Sequence, residues 1–198
     1  MSLVDSLQSF DERLFWMLHD VHRPWLDTCM WYVSKMFFWI PVYVILLVAM
    51  YRRLSGARFI TALIALTLLL FLTDFVAVHA VKETVQRLRP SRNPVFEHLV
   101  HLVSDENGNL YRGGMYGFFS NHASNYAGVC TLFMLMMRPL SKVAVVALIA
   151  WVVLISYSRI YLGVHYPLDI LAGWMYGALC GWIIFRLVDV ITRKSTTR

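Results

Sequence analysis

Arg159, His165 and Asp169 lie between two long apolar runs in the C-terminal part of the chain. Ionisable groups in such surroundings are costly, and their default reading is functional. Pro167 suits the first turn of a helix, where its missing N–H would have no partner. A helix starting near His165 or Tyr166 puts His165 and Asp169 one turn apart on one face. The carboxylate can then hold one imidazole nitrogen and leave the other free as a nucleophile. The alternative is a buried His–Asp pair that only staples two helices, and these residues alone do not separate the two readings.

Two further groups have the same character. Lys82 and Arg89 are seven residues apart, close to two helical turns, and so share a helix face. Pro90 stops that helix just beyond Arg89. Two cations aimed at one point suit a phosphate-like dianion, which Arg grips bidentately. The alternative is that these long side chains snorkel at a helix end. Ser120 is a candidate N-cap for the next apolar run, and a helix N-terminus with a hydroxyl is an anion site. His122 stands in that first turn, placed to give or take a proton. A simple cap beside an interfacial His is the alternative there.

The elements that must position these groups belong to a membrane bundle. The chain of 198 residues is 59% hydrophobic and 15% charged, with a mean hydropathy of +0.58. A soluble domain carries about 25% charged residues. The chain reads as one domain, residues 1–198. Residues 4–21 are too polar to span a bilayer, but Leu7, Phe10, Leu14, Met17, Leu18 and Val21 share one helical face. That pattern predicts an amphipathic helix lying at the interface, broken at Pro24-Trp25. Five spans are expected, from about Cys29 to Met50, Phe59 to Val81, Asn121 to Met137, Val143 to Leu162 and Tyr166 to Val190. The expected fold is thus all-α: a polytopic transmembrane bundle of about five spans plus an N-terminal interfacial helix.

Basic residues give the orientation. Arg52, Arg53 and Arg58, then Arg138 and Lys142, then Arg193, Lys194 and Arg198 all fall on one side, expected to be the cytoplasm. Lys82, Arg87, Arg89, Arg92, Arg112 and Arg159 fall on the other side, against the trend, and need a reason of their own. The net charge of +6 reflects loops rather than a nucleic-acid surface, because the basic residues are spread among apolar segments. Cys29, Cys130 and Cys180 show neither metal-ligand spacing nor a disulfide framework. No cleavable signal peptide is expected, since no basic region precedes an apolar one at the N-terminus.

Lys82-x6-Arg89-Pro90, Ser120-x-His122 and Ser158-Arg159-x5-His165-x3-Asp169, in that order, resemble the three-part signature of the type 2 phosphatidic acid phosphatases. That superfamily also includes vanadium haloperoxidases and acid phosphatases. The resemblance implies that His165 is the nucleophile, forming a phosphohistidine, and that Asp169 orients it. It implies that His122 protonates the leaving oxygen and then activates water. Lys82, Arg89, Arg159, Ser120 and backbone amides near Asn121 would bind the phosphoryl oxygens, with no metal and no cofactor. The implied substrate is a lipid phosphomonoester or pyrophosphate: a polyprenyl pyrophosphate, phosphatidylglycerophosphate, phosphatidic acid or a lipid A phosphate. The implied place is a bacterial inner membrane, with the site on the periplasmic, extracytoplasmic side. One alternative is a haloperoxidase-like enzyme holding vanadate in the same cradle. Another is a non-catalytic lipid-phosphate binder or transporter, which would keep the cations but would not need His122 or His165.

Phe119 and Asn121 stand where the family pattern has Pro and Gly. Asn keeps the backbone N–H and tolerates unusual φ, so this departure bears on substrate preference more than on chemistry. Asp74 reads either as a partner for Lys82 or as a plain interhelical contact. His79 reads as a packed, hydrogen-bonded core residue. His98 and His101 are spaced like a metal pair but have no third ligand nearby in sequence. The aromatic, glycine-rich stretch from Tyr111 to Phe119 could cover a headgroup or rest on the interface. Protein partners are not specified by the sequence.

Overall fold

The computed structural model describes residues 3–75 and 80–196. It is all-helical, and among the described residues the only β-type pairings are two isolated bridges. In chain order the helices are α1 (Leu3–His19), α2 (Pro24–Val33), α3 (Ile40–Arg53), α4 (Gly56–Phe75), the one-turn α5 (Glu83–Val85), α6 (Asn121–Met136), α7 (Lys142–Tyr161) and α8 (Pro167–Thr196). His79, and the side chains of Arg193, Lys194 and Arg198, lie outside the described residues.

Among the described residues, four helical stretches are long and apolar enough to cross a membrane: Met36–Arg53, one beginning at Gly56, Lys142–Tyr161 and Pro167–Thr192. The chain is an integral membrane protein. At sixteen residues, α6 is only about 24 Å long. It is the enclosed element, burying Ala123, Tyr126, Ala127, Cys130, Leu132 and Phe133 among others. The first apolar run starts later than its sequence suggested. Cys29 belongs to the separate helix α2, and the chain breaks at Ser34 and Lys35 before a short 3-10 turn leads into α3.

The core is set by how closely α6 and α8 approach. Gly173, Gly177 and Gly181 are four apart and line one face of α8. A Cβ on Gly177 would lie 2.0 Å from the Ser124 carbonyl oxygen, one on Gly173 2.7 Å from that of Ser120, and one on Gly181 2.6 Å from that of Gly128. Small residues at such spacing let helix backbones touch, which is how helices associate in an apolar medium. The contact fixes where the N-terminal ends of both helices sit.

Helix α1 is amphipathic in an unexpected sense. Its apolar stripe, with Leu7, Phe10 and Met17, is exposed, while Asp11, Phe15 and His19 are fully buried. The buried three are four apart and form one face, which docks on the start of α8. Phe15 packs edge-on against Tyr166 at 5.5 Å. At the far end of the bundle, Arg53 donates to the carbonyls of Met137 (3.0 Å) and Pro139 (3.2 Å), so the basic α3–α4 and α6–α7 connections lie together.

Candidate active site

The start of α8 holds a carboxylate of the site. Asp169 is fully buried, and its Oδ2 accepts from the Tyr166 backbone N–H at 2.9 Å. This is the reach of a residue in the first turn back to the residue before the helix, as in a capping box. Its Oδ1 accepts from Arg87 Nη1 at 2.7 Å. Arg87 in turn donates through Nη2 to Asp11 Oδ2 of α1 at 2.6 Å, and its guanidinium lies 4.1 Å over the Tyr166 ring. The other Asp11 oxygen accepts from the Leu168 N–H at 2.9 Å, so α1 supplies a second cap to α8. Burial pushes the Asp11 carboxyl up against the opposing pull of Arg87. For Arg87, burial acts against the charge, but Asp169 and Asp11 outweigh it and raise its pKa.

His165 sits immediately before this helix and is 2% exposed. Its Nδ1 is 3.5 Å from Asp169 Oδ2, a close approach that is not yet a hydrogen bond, and Nδ1 has no other partner. Catalytic hydrogen bonds are often long before substrate arrives. Burial, then the charges of Arg89, Arg159 and Lys82, hold the His165 imidazole well below its ordinary range.

Lys82 and Arg89 reach the same cavity by a route the sequence did not suggest. The helix does not run on to Arg89. It ends at Val85, because Gln86 turns left-handed (φ 52°), and Arg89 is extended ahead of Pro90, as a residue before proline must be. A short pairing then fixes Arg89. Its N–H donates to the Met115 carbonyl (3.2 Å), the Gly117 N–H donates to the Arg87 carbonyl (2.8 Å), and Arg89 Nε donates to the Tyr116 carbonyl (3.0 Å). Gly113, at φ +64°, must be glycine: a Cβ there would meet the Arg89 guanidinium at 2.3 Å. Burial, then Arg159, lower the Arg89 pKa to about 10, so it stays charged at neutral pH. At the end of α7, Arg159 is 3% exposed and donates from Nη2 to the Tyr111 hydroxyl at 2.9 Å.

One cavity of about 610 Å³ is lined by Lys82, Arg89, Asn121, His122, Arg159 and His165. The sequence-flagged residues from three separate stretches therefore share one space. The same cavity continues along α6 past Asn125, Tyr126 and Val129 to Leu132 and Phe133, and is walled by Leu46, Met50 and Leu66. From Asn121 to Phe133 is about 18 Å of helix rise. The cavity is cationic at one end and apolar along its length.

Ser120 and Asp169 do not line it. Ser120 is fully buried, its hydroxyl accepts from the Ala123 N–H at 3.4 Å, and its own N–H donates to the Asp169 carbonyl at 3.0 Å. Its visible work is to cap α6 and tie it to α8. Asn121 and Asn125 donate from their amides to Asp74 Oδ1 at 3.2 and 3.0 Å, so the Asp74 hydrogen bonds go to α6. The aromatic loop reaches the cavity through Tyr111 and Gly114, which line it. Arg112 bonds Glu97 at 2.8 Å and the Ser91 carbonyl at 3.1 Å, and Arg92 bonds the Gly113 carbonyl at 3.3 Å. These two cations therefore brace the loop.

Sequence reading missed Asp11, and it left Arg87 as an unexplained cation. The signal for Asp11 was its spacing: Phe15 and His19 follow it at i+4 and i+8 on one face of α1. The exposed apolar stripe masked it.

Residues 61–193 match the PAP2 superfamily, and the chain belongs to that family. It is 28% identical over 194 residues to a lipid A 4'-phosphatase of Bacteroides thetaiotaomicron, covering 97% of this chain and 83% of that protein. It is 31% identical over 201 residues to phosphatidylglycerophosphatase B of Bacillus subtilis, covering 96% and 88%. Its fold is similar to a crystal structure of a transmembrane PAP2-type phosphatidylglycerolphosphate phosphatase from Bacillus subtilis, with a TM-score of 0.64, 25% identity and coverage of 96% and 87%.

Proposed function

We propose that the chain hydrolyses a phosphomonoester or pyrophosphate of a membrane lipid, through a phosphohistidine at His165, on the extracytoplasmic side of a bacterial inner membrane. The observation that carries this is the single cavity in which three cations and two imidazoles meet at one end of an apolar groove. Three cations crowded together repel one another, and a phosphate dianion relieves that repulsion. Phosphoryl transfer needs mainly positioning and neutralisation of charge on the equatorial oxygens. Lys82, Arg89 and Arg159 supply this, with the N–H groups at the start of α6. The groove takes the lipid tail and the cationic end takes the phosphate.

With Nδ1 facing Asp169, the Nε2 lone pair of His165 attacks phosphorus. The N–P bond forms as the P–O bond to the lipid breaks, and His122 gives its proton to the leaving oxygen. His122 then takes a proton from water, whose oxygen attacks phosphorus and breaks the N–P bond. Phosphate leaves and His165 is restored. Ser120 acts through the helix end it caps, and Asp169 through His165. The basic connections at the far end support a cytoplasmic position for that end. The exposed apolar stripe of α1 suits contact with lipid, as an interfacial helix makes.

The test is phosphate release by purified protein from a panel comprising lipid A, phosphatidylglycerophosphate, phosphatidic acid and a polyprenyl pyrophosphate. Turnover of at least one, undiminished in EDTA and inhibited by vanadate, is expected. Failure on all four, or activity lost in EDTA and restored by a divalent ion, overturns the reading.

A further inference from the structure

We infer that His22, Asp27 and His101 form a binding site for a divalent cation of the zinc class, outside the catalytic cavity. One ligand atom from each lies within 4.8 Å of the other two. None of the three lines the cavity. They come from three places in the chain: the junction between α1 and α2, the first turn of α2, and the loop after the 3-10 turn at Pro90–Arg92.

The second observation is at His22. Both of its ring nitrogens are shielded from solvent and neither has a hydrogen-bond partner. A buried polar atom without a partner calls for an explanation, and a cation would take one of these two nitrogens as its ligand.

The surrounding contacts hold two of the three ligands, Asp27 and His101, in place. His101 Nε2 is already 3.0 Å from Asp27 Oδ2. The other Asp27 oxygen accepts from the Tyr161 hydroxyl, which fixes the carboxylate from behind, as outer hydrogen bonds do in metal sites. The His101 backbone N–H donates to His19 Nε2 at 3.1 Å, and His19 Nδ1 is 3.2 Å from the Ile160 carbonyl. His19 is thus committed to holding the loop and is not a ligand. Two imidazoles and one carboxylate suit Zn²⁺, whose bonds are about 2.0–2.2 Å with solvent in the fourth position. Ligand atoms in such a tetrahedron are about 3.4 Å apart, so the present set must contract. The His22 and His101 rings now stack at 4.0 Å and 25°, and stacked rings cannot aim both lone pairs at one ion. Binding therefore turns His22 out of the stack about its side-chain torsions.

The consequence is structural. The ion pins the α1–α2 junction to the loop that leads to Tyr111 and Gly114 of the cavity lining, and α1 carries Asp11. This inference does not rest on the phosphatase reading. It is tested on full-length protein purified in detergent without a histidine tag and stripped with chelator. Zn²⁺ titration should show one equivalent per chain and a rising Tm, since a ligand of the folded state stabilises it. Co²⁺ in its place should give the visible absorption of a four-coordinate ion. H22A and H101A should each weaken binding by at least about tenfold, while H98A leaves it unchanged. No saturable Zn²⁺ binding by the unsubstituted protein overturns the inference. So does binding that survives H22A with H101A, or that is lost in H122A or H165A instead. If H22A does not fold, the Co²⁺ spectrum of the unsubstituted protein decides: an octahedral spectrum or none contradicts the site.

Discussion

His165 can act as a nucleophile only while its ring is unprotonated, and its surroundings favour that. Burial and three nearby cations depress its pKa. A depressed pKa keeps the ring neutral as pH falls. The acid limb of kcat/KM, corrected for ionisation of the substrate, should therefore lie below about 6.5, the ordinary imidazole value. Arg89→Gln removes one cation and should move the limb upward; a limb at or above the ordinary value in the native enzyme contradicts this. His165→Ala should leave no measurable turnover in a folded protein. His122→Ala should lower kcat by about 10²–10⁴-fold, the range for a general acid–base. Arg87 and Asp11 act through Asp169. Breaking a buried pair by removing one partner costs about 3–5 kcal/mol, so Arg87→Gln should lower Tm. In preparations still folded at the assay temperature, it should lower kcat with little change in KM, because Asp169 no longer holds the His165 ring. A change confined to KM would place Arg87 in substrate binding instead.

At the scale of elements, the site depends on helix ends, and those depend on α6 and α8 lying backbone to backbone. Gly177 has no room for a side chain beside the Ser124 carbonyl. Gly177→Val should force the helices apart, costing about 1–3 kcal/mol or more, and should displace His122 and His165 together. The expected result is a lower Tm with activity lost in parallel; a fully active, equally stable variant would contradict the packing account. Residue types and spacing were legible in the sequence where chemistry demanded unusual groups among apolar ones, as at Arg159, His165 and Asp169. The path between Lys82 and Arg89 was not. Gln86 has no strong preference for a left-handed backbone, so the turn there comes from the loop pairing with Met115 and Gly117. The role of α1 was equally hidden, because its exposed apolar stripe gives a stronger pattern than the buried face of Asp11, Phe15 and His19.

For the whole molecule, the proposed function lays the lipid tail in the groove running from the cations past Val129 to Phe133. Shortening the acyl chains of a turned-over substrate should raise KM progressively, and a water-soluble phosphomonoester should be turned over poorly. Equal kcat/KM for the lipid and its soluble headgroup phosphate would mean that the groove takes no part. The most direct measurement is rapid-quench trapping with a lipid labelled in its phosphate. Label should become attached to the protein in one turnover as an acid-labile, alkali-stable adduct on His165, and His165→Ala should show none. Full turnover by His165→Ala, or label found on another residue, would contradict the account.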